Sequence, residues 1–181
     1  MNIKNSIYSV GKGVVLTFLL CSFGCSHSGS EDRPSPLRMD STIISGVSVK
    51  IKYSSPAVRG REIWGILDPY GKVWRIGANR ATVLEVSDTI EMASNKIPKG
   101  KYSMFAIPDS ARWTIILNKE WDQWGAYDYD PTKDLFRTTI LPYKLDSLHE
   151  RLTFSFDQKQ LKFRWEYLGF DLPLTVSSTD H

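Results

Sequence analysis

From Arg151 to Tyr167 the chain alternates twice between apolar and polar residues. Leu152, Phe154 and Phe156 interleave with Arg151, Thr153 and Ser155; Leu161, Phe163, Trp165 and Tyr167 interleave with Lys162, Arg164 and Glu166. A period of two places successive side chains on opposite faces, so each run reads as a strand with one face buried and one wet. The intervening Asp157 to Gln160 is short enough for a hairpin.

The same period recurs upstream. Val47, Val49, Ile51 and Tyr53 alternate with Ser48, Lys50 and Lys52, and Ser54-Ser55-Pro56 ends that run. Thr82, Leu84 and Val86 against Val83, Glu85 and Ser87 give another strand, followed by a turn at Ile97-Pro98-Lys99-Gly100. Tyr102, Met104 and Ala106 run on to Pro108-Asp109-Ser110. Trp113 to Asn118 is almost wholly apolar and is expected in a central strand. Phe136 to Leu141 is a further short strand, flanked by polar connections. No longer segment shows a helical period and no internal repeat is present. Seven or more short strands separated by turn signals predict an all-β fold, an antiparallel β-sandwich of jelly-roll-like type, with a partly closed barrel as the alternative.

The N-terminus has a different character. Lys4 and Lys12 precede an apolar run beginning at Gly13 to Leu20, too short to span a bilayer, so residues 1–24 read as a signal peptide. Ser22-Phe23-Gly24-Cys25 resembles the lipobox of bacterial lipoproteins, with Cys25 the expected lipidation site and Cys21 a rival preceded by the poorer cleavage residue Leu20. An ordinary secretory signal with two incidental Cys is the plainer alternative. Acyl chains would supply the membrane hold that a removed leader cannot. Residues 25–40, rich in Ser, Pro and charge, read as the lipidated Cys and a flexible tether, and 41–181 as one domain. The expected location is the bacterial cell envelope, facing periplasm or cell surface. Of 23 basic residues two fall in the leader, leaving 21 against 20 acidic ones and a formal charge of +1. That balance gives no case for nucleic acid. With a single Cys left after cleavage, neither a disulfide nor a thiol nucleophile is expected.

Between the first two predicted strands lies the densest stretch of the chain. Tyr53 to Thr82 holds two Trp, two Tyr, four Arg, four Gly and two Pro in thirty residues. Gly60, Gly65, Gly71 and Gly77 suit successive turns, and Trp64 and Trp74 suit the ends of a sandwich core. Arg59, Arg61 and Arg75 have aromatic faces or Glu62, Asp68 and Glu85 as partners, and Asn79 suits a turn. The functional alternative is a pocket in which Arg61, Tyr70, Trp74, Arg75, Asn79 and Thr82 set fork-like donors beside aromatic platforms, suited to a carboxylate, phosphate or sugar.

The pattern Tyr53-Ser-x-Pro56, Gly60-Arg61-x-Ile63-Trp64-Gly65, Pro69-Tyr70-Gly71, Trp74-Arg75-x-Gly77-Ala78-Asn79-x-Ala81-Thr82 resembles a bacterial family, domain of unknown function 2911. Pro98-x-Gly100-x-Tyr102-Ser103, Ile107-Pro108, Trp113, Asn118, Tyr127-Asp128-Tyr129 and Asp134-x-x-Arg137 extend the likeness over about Ile44 to Tyr167. The resemblance implies a secreted domain common in Bacteroidetes-type bacteria and no particular activity.

Trp121 to Asp130 alternates aromatics with acids, and Asp128 and Tyr129 are its candidate ligand-binding residues: exposed rings stack on sugars and carboxylates accept from hydroxyls. The plainer reading folds these rings back over the sandwich edge. Asp128, Asp130 and Asp134 offer oxygen ligands but lack the spacing and closing Glu of a calcium loop. Apart from the last residue, His181, His149 is the one His in the domain, which argues against a transition-metal centre or a serine triad. Glu62, Asp68, Glu85 and Asp128 are the acids available for a glycosidase pair, which sequence alone cannot match. No cofactor or metal is expected. The chain reads as a non-catalytic, lipid-anchored module for a small polar ligand or glycan. A structural or assembly lipoprotein binding an envelope protein is the alternative, and a carbohydrate-active enzyme the third.

Overall fold

The computed structural model describes residues 33–157 and 159–176, and within them ten strands form two antiparallel sheets. In chain order these are β1 (Leu37–Ile44), β2 (Val47–Ser54), β3 (Thr82–Val86), β4 (Ile90–Met92), β5 (Asn95–Ile97), β6 (Gly100–Ile107), β7 (Trp113–Asn118), β8 (Asp134–Ile140), β9 (Tyr143–Asp157) and β10 (Gln160–Thr175). One sheet has the order β1-β2-β3-β6-β7-β8 and the other β5-β4-β10-β9. A 3-10 turn at Pro131–Lys133 is capped by the Asp130 side chain. The result is an all-β sandwich and not a closed barrel. The predicted leader, the expected lipidation site Cys25 and most of the tether lie outside the described residues.

Alternation sets the layers. Val49, Ile51 and Tyr53 of β2, Leu84 and Val86 of β3, Met104 and Ala106 of β6, and Ile115 and Leu117 of β7 point inward. They meet Leu152, Phe154, Leu161, Phe163, Trp165, Phe170 and Leu172 of the second sheet. One end of the core is aromatic. Trp64 lies 4.6 Å from Trp113 and 5.6 Å from both Trp74 and Trp165, while Phe163 stacks on Phe170 at 4.6 Å. Most pairs are edge-to-face, the geometry that aligns ring edges with the negative ring faces.

The sheets are stitched along one seam. Ser55 Oγ donates to the Leu152 carbonyl at 2.7 Å, Leu152 N to Pro56 O at 2.9 Å, and Val58 N to Glu150 O at 2.7 Å. Further along, Asp40 of β1 accepts from Phe156 N at 2.9 Å. These bonds satisfy backbone groups of Glu150, Leu152 and Phe156 that β9 would otherwise leave open at its sheet edge.

Two boundaries differ from expectation. β1 begins at Leu37, inside the stretch assigned to the tether. Its outward residues Leu37, Met39 and Ile43 are apolar and exposed, so it lacks the alternation that reveals a half-buried strand. β9 runs back to Tyr143 through residues read as a polar connection.

The segment before β3 is held by Gly77. Ile76, fully buried, sits at φ 47°, and Gly77 follows at 152°. A Cβ at Gly77 would lie 2.9 Å from the Ser54 carbonyl oxygen, in a conformation L-residues rarely adopt. Gly77→Ala is therefore expected to destabilise the fold by about 1–3 kcal/mol, measured by urea denaturation.

Candidate functional site

The six-stranded sheet has an outer face, and only half of it is covered. Over β6 and β7 the loop 119–133 lies down on the outward side chains: Phe105 and Ile116 are buried beside Ala81, with Ala126 and Tyr129 packed on them. Tyr129 meets Phe105 edge-on at 5.1 Å. Asn118, buried at the end of β7, anchors that loop. Its Nδ2 donates to Asp130 O and Asp134 Oδ1, both at 2.9 Å, and its Oδ1 accepts from Glu120 N at 2.9 Å. Asp134 also accepts from Tyr129 and Arg137. Burial, and then its bond to Asp134, pushes the Tyr129 hydroxyl up to about 12, so it stays a donor.

Over β1, β2 and β3 the outer face is open, and there it forms a groove of about 850 Å³. Register fixes the floor. Met39, Lys52 and Val83 form one rung, and Ser41, Lys50, Glu85 and Lys101 the next. One wall is Leu37 and Met39 with Arg33-Pro34-Ser35; the other is Trp121, Asp122, Gln123 and Trp124. Trp121 and Trp124 are 42% and 56% exposed, large for indoles in an ordered loop.

The Trp wall is fixed by backbone bonds. Ala81 N donates to Gln123 O at 3.1 Å and Gly125 N to Asn79 O at 3.0 Å, pairing 79–81 with 123–125 on either side of the Arg80–Trp124 bridge. Arg80 also makes an ion pair with Asp122. Gln123 is buried, with Nε2 donating to Glu120 O at 2.6 Å and Oε1 lacking a partner among the described residues. Lys101 Nζ lies 5.0 Å from the Trp121 ring centroid and 3.8 Å from Glu85. Among the described residues Lys50 and Lys52 make no ion pair, and five basic side chains line the groove against two acidic ones.

Of the eight ligand-binding residues expected from sequence, only Asn79 lines this groove, where its Nδ2 also reaches Ser54 Oγ at 3.4 Å. Trp74 is in the core, stacked on Trp165 at 5.7 Å. Thr82 is fully buried, and its hydroxyl donates to Ile76 O at 2.7 Å, holding the strained turn. Arg61 donates to the carbonyls of Val58 and Ala57, and Tyr70 is exposed against Gly65. Asp128 is exposed, and Tyr129 faces the sheet rather than solvent. The eight are thus spread over three regions, because residues adjacent in the 53–82 stretch fall alternately on the core and on separate turns.

The loop 121–130 divides between the two alternatives: Tyr129 folds back over the sheet, while Trp121, Trp124 and Tyr127 are exposed. What sequence reasoning missed is the floor. Its signal was present, two Lys on the wet face of one strand, but the partners Glu85 and Lys101 become neighbours only through register. Asp130 caps the 3-10 turn and Asp134 binds Tyr129, Arg137 and Asn118, so those two acids are engaged by protein donors. Among the described residues no group of three or more His, Cys, Asp or Glu is placed to hold a metal ion.

A second charged cluster lies elsewhere, where Arg75 and Arg61 face the partly buried Asp68. Burial pushes Asp68 up to about 6 from its ordinary 3.8, against the opposing pull of both guanidinium groups. The folded chain thus takes up this proton before the unfolded one. Its stabilising effect is complete below about pH 3.8 and lost as pH rises through about 6. Asp68→Asn should therefore raise stability at pH 8 by on the order of 2 kcal/mol and leave it little changed at pH 4, read from denaturation midpoints at both pH values.

The model of the family described as protein of unknown function (DUF2911) matches residues 35–174, nearly the whole described chain. The chain belongs to this family. The match begins two residues before β1 and ends within β10, so the DUF2911 unit is the complete two-sheet sandwich, with β1 included. Both walls of the groove therefore fall within the DUF2911 unit, apart from its outermost residues Arg33 and Pro34. No curated protein and no solved structure matches the chain.

Proposed function

We propose that this DUF2911 protein is a non-catalytic binding module, held in the bacterial envelope by lipid on Cys25, that takes a glycan or comparable polar ligand in the groove. The observation that carries the reading is the pair of exposed indoles, Trp121 and Trp124, fixed along one wall of a groove whose floor is polar. Rings on a rigid wall suit stacking against flat ligand faces, and the polar floor suits hydroxyls. The two carboxylates in the groove, Glu85 and Asp122, are each paired to a base, an arrangement suited to accepting hydrogen bonds rather than donating a proton.

The test is calorimetric titration of the full chain with a panel of oligosaccharides. Trp124→Ala is expected to weaken binding about tenfold or more, since truncating an aromatic anchor at a binding surface costs about 2 kcal/mol or more. Its melting temperature should stay within a degree or two, because the indole contributes little to the core. Binding unchanged in both Trp121→Ala and Trp124→Ala would remove the groove from the account.

A further inference from the structure

Resting on that groove, we infer that its ligand is an acidic oligosaccharide, carrying carboxylate or sulfate groups spaced along its rings. The charge pattern supports this. Arg33, Lys50, Lys52, Arg80 and Lys101 line the groove against Glu85 and Asp122. Arg80 is engaged by Asp122, and Lys101 by Glu85 and the Trp121 face. Lys50 and Lys52 remain with no acidic partner among the described residues, side by side on the floor. Such cations, lining the same groove as exposed rings, attract a ligand that is both flat and negatively charged.

Spacing narrows the class. Lys50 and Lys52 are one pleat apart, about 7 Å along β2, and Lys101 lies two strands from Lys50, about 10 Å away across Glu85. The three side chains rise from separate points of the floor, so an anion with several separated charges can give each of them a group of its own. The carboxylates discriminate further. Glu85 lies between Lys50 and Lys101, and Asp122 on the Trp wall, where each accepts from ligand hydroxyls. A deoxyribose phosphodiester chain has few hydroxyls to offer, and meets these two acids as repulsion. An acidic saccharide offers hydroxyls between its charges. The two unpaired lysines take the charges, Glu85 and Asp122 take hydroxyls, and Trp121 and Trp124 take the ring faces.

The experiment titrates the full chain with oligogalacturonate, chondroitin sulfate oligosaccharides, methyl-esterified oligogalacturonate, neutral xylo- and gluco-oligosaccharides, and oligothymidylate. Binding of an acidic saccharide is expected, about tenfold or more tighter than the methyl ester, and weakening as salt rises. Lys50→Gln/Lys52→Gln should lose that preference without a change in melting temperature, since both side chains are exposed. Equal binding of ester and acid, abolished by Trp124→Ala, would overturn the acidic ligand and leave the glycan groove standing. Preference for oligothymidylate would overturn the saccharide. No binding of any probe would overturn both readings.

Discussion

Trp113→Ala is expected to destabilise the protein by about 3–5 kcal/mol, a large share of the roughly 5–15 kcal/mol that holds a typical domain folded. Trp113 is 1% exposed and sits where both sheets meet. Its ring lies within about 6 Å of Trp64, Trp74, Phe163 and Phe170, and its Nε1 donates to Asp109 O at 3.1 Å. Truncation removes the apolar surface, leaves a cavity walled by rigid rings, and orphans a carbonyl acceptor. Rings locked edge-to-face cannot collapse into such a cavity as aliphatic side chains can. Guanidinium denaturation should show a lower midpoint with an unchanged slope. A loss below 1 kcal/mol would mean that the aromatic end of the core is not the packed centre it is taken to be.

The second large effect is expected at Asn118, where stability and binding are linked. Asn118→Ala leaves Asp130 O and Glu120 N without their partner and removes one of the donors to Asp134. Each buried group left unmade costs about 1–3 kcal/mol, so a loss of about 2–4 kcal/mol is expected. The consequence for the ligand follows from position. Glu120 leads directly into Trp121, and Asp130 closes the same loop, so releasing both frees the Trp wall while the floor stays intact. At a temperature where the variant is fully folded, affinity should fall about tenfold and hydrogen exchange should rise across 119–130 alone. Weakened affinity with unchanged exchange there would point to a direct ligand contact instead of a positioning role.

The layers of this fold are legible in its sequence, and the site much less so. WTIILN at 113–118 reads as a central strand, and β7 is one: Ile115 and Leu117 face the core, while Ile116 is buried from the other side by the 119–133 loop. The hairpin of β9 and β10 follows equally from its alternation. Residue type alone does not separate a core Trp from a platform Trp. Trp74 and Trp124 are both flanked by charge and glycine, yet one is 5% and the other 56% exposed. The difference lies in what their backbones pair with. Trp74 N and O bond Ala106 on β6, turning its ring inward, whereas Trp124 bridges Arg80 above the sheet. The groove floor needs the register of four strands, which no single stretch encodes.

The most direct test of the groove follows the six indole N–H signals by two-dimensional NMR during titration with the tightest-binding saccharide. Trp121 and Trp124 are predicted to shift progressively and saturably, while Trp74, Trp113 and Trp165, sealed in the core, stay in place. Shifts confined to Trp64, with Trp121 and Trp124 silent, would contradict the account and move the site out of the groove.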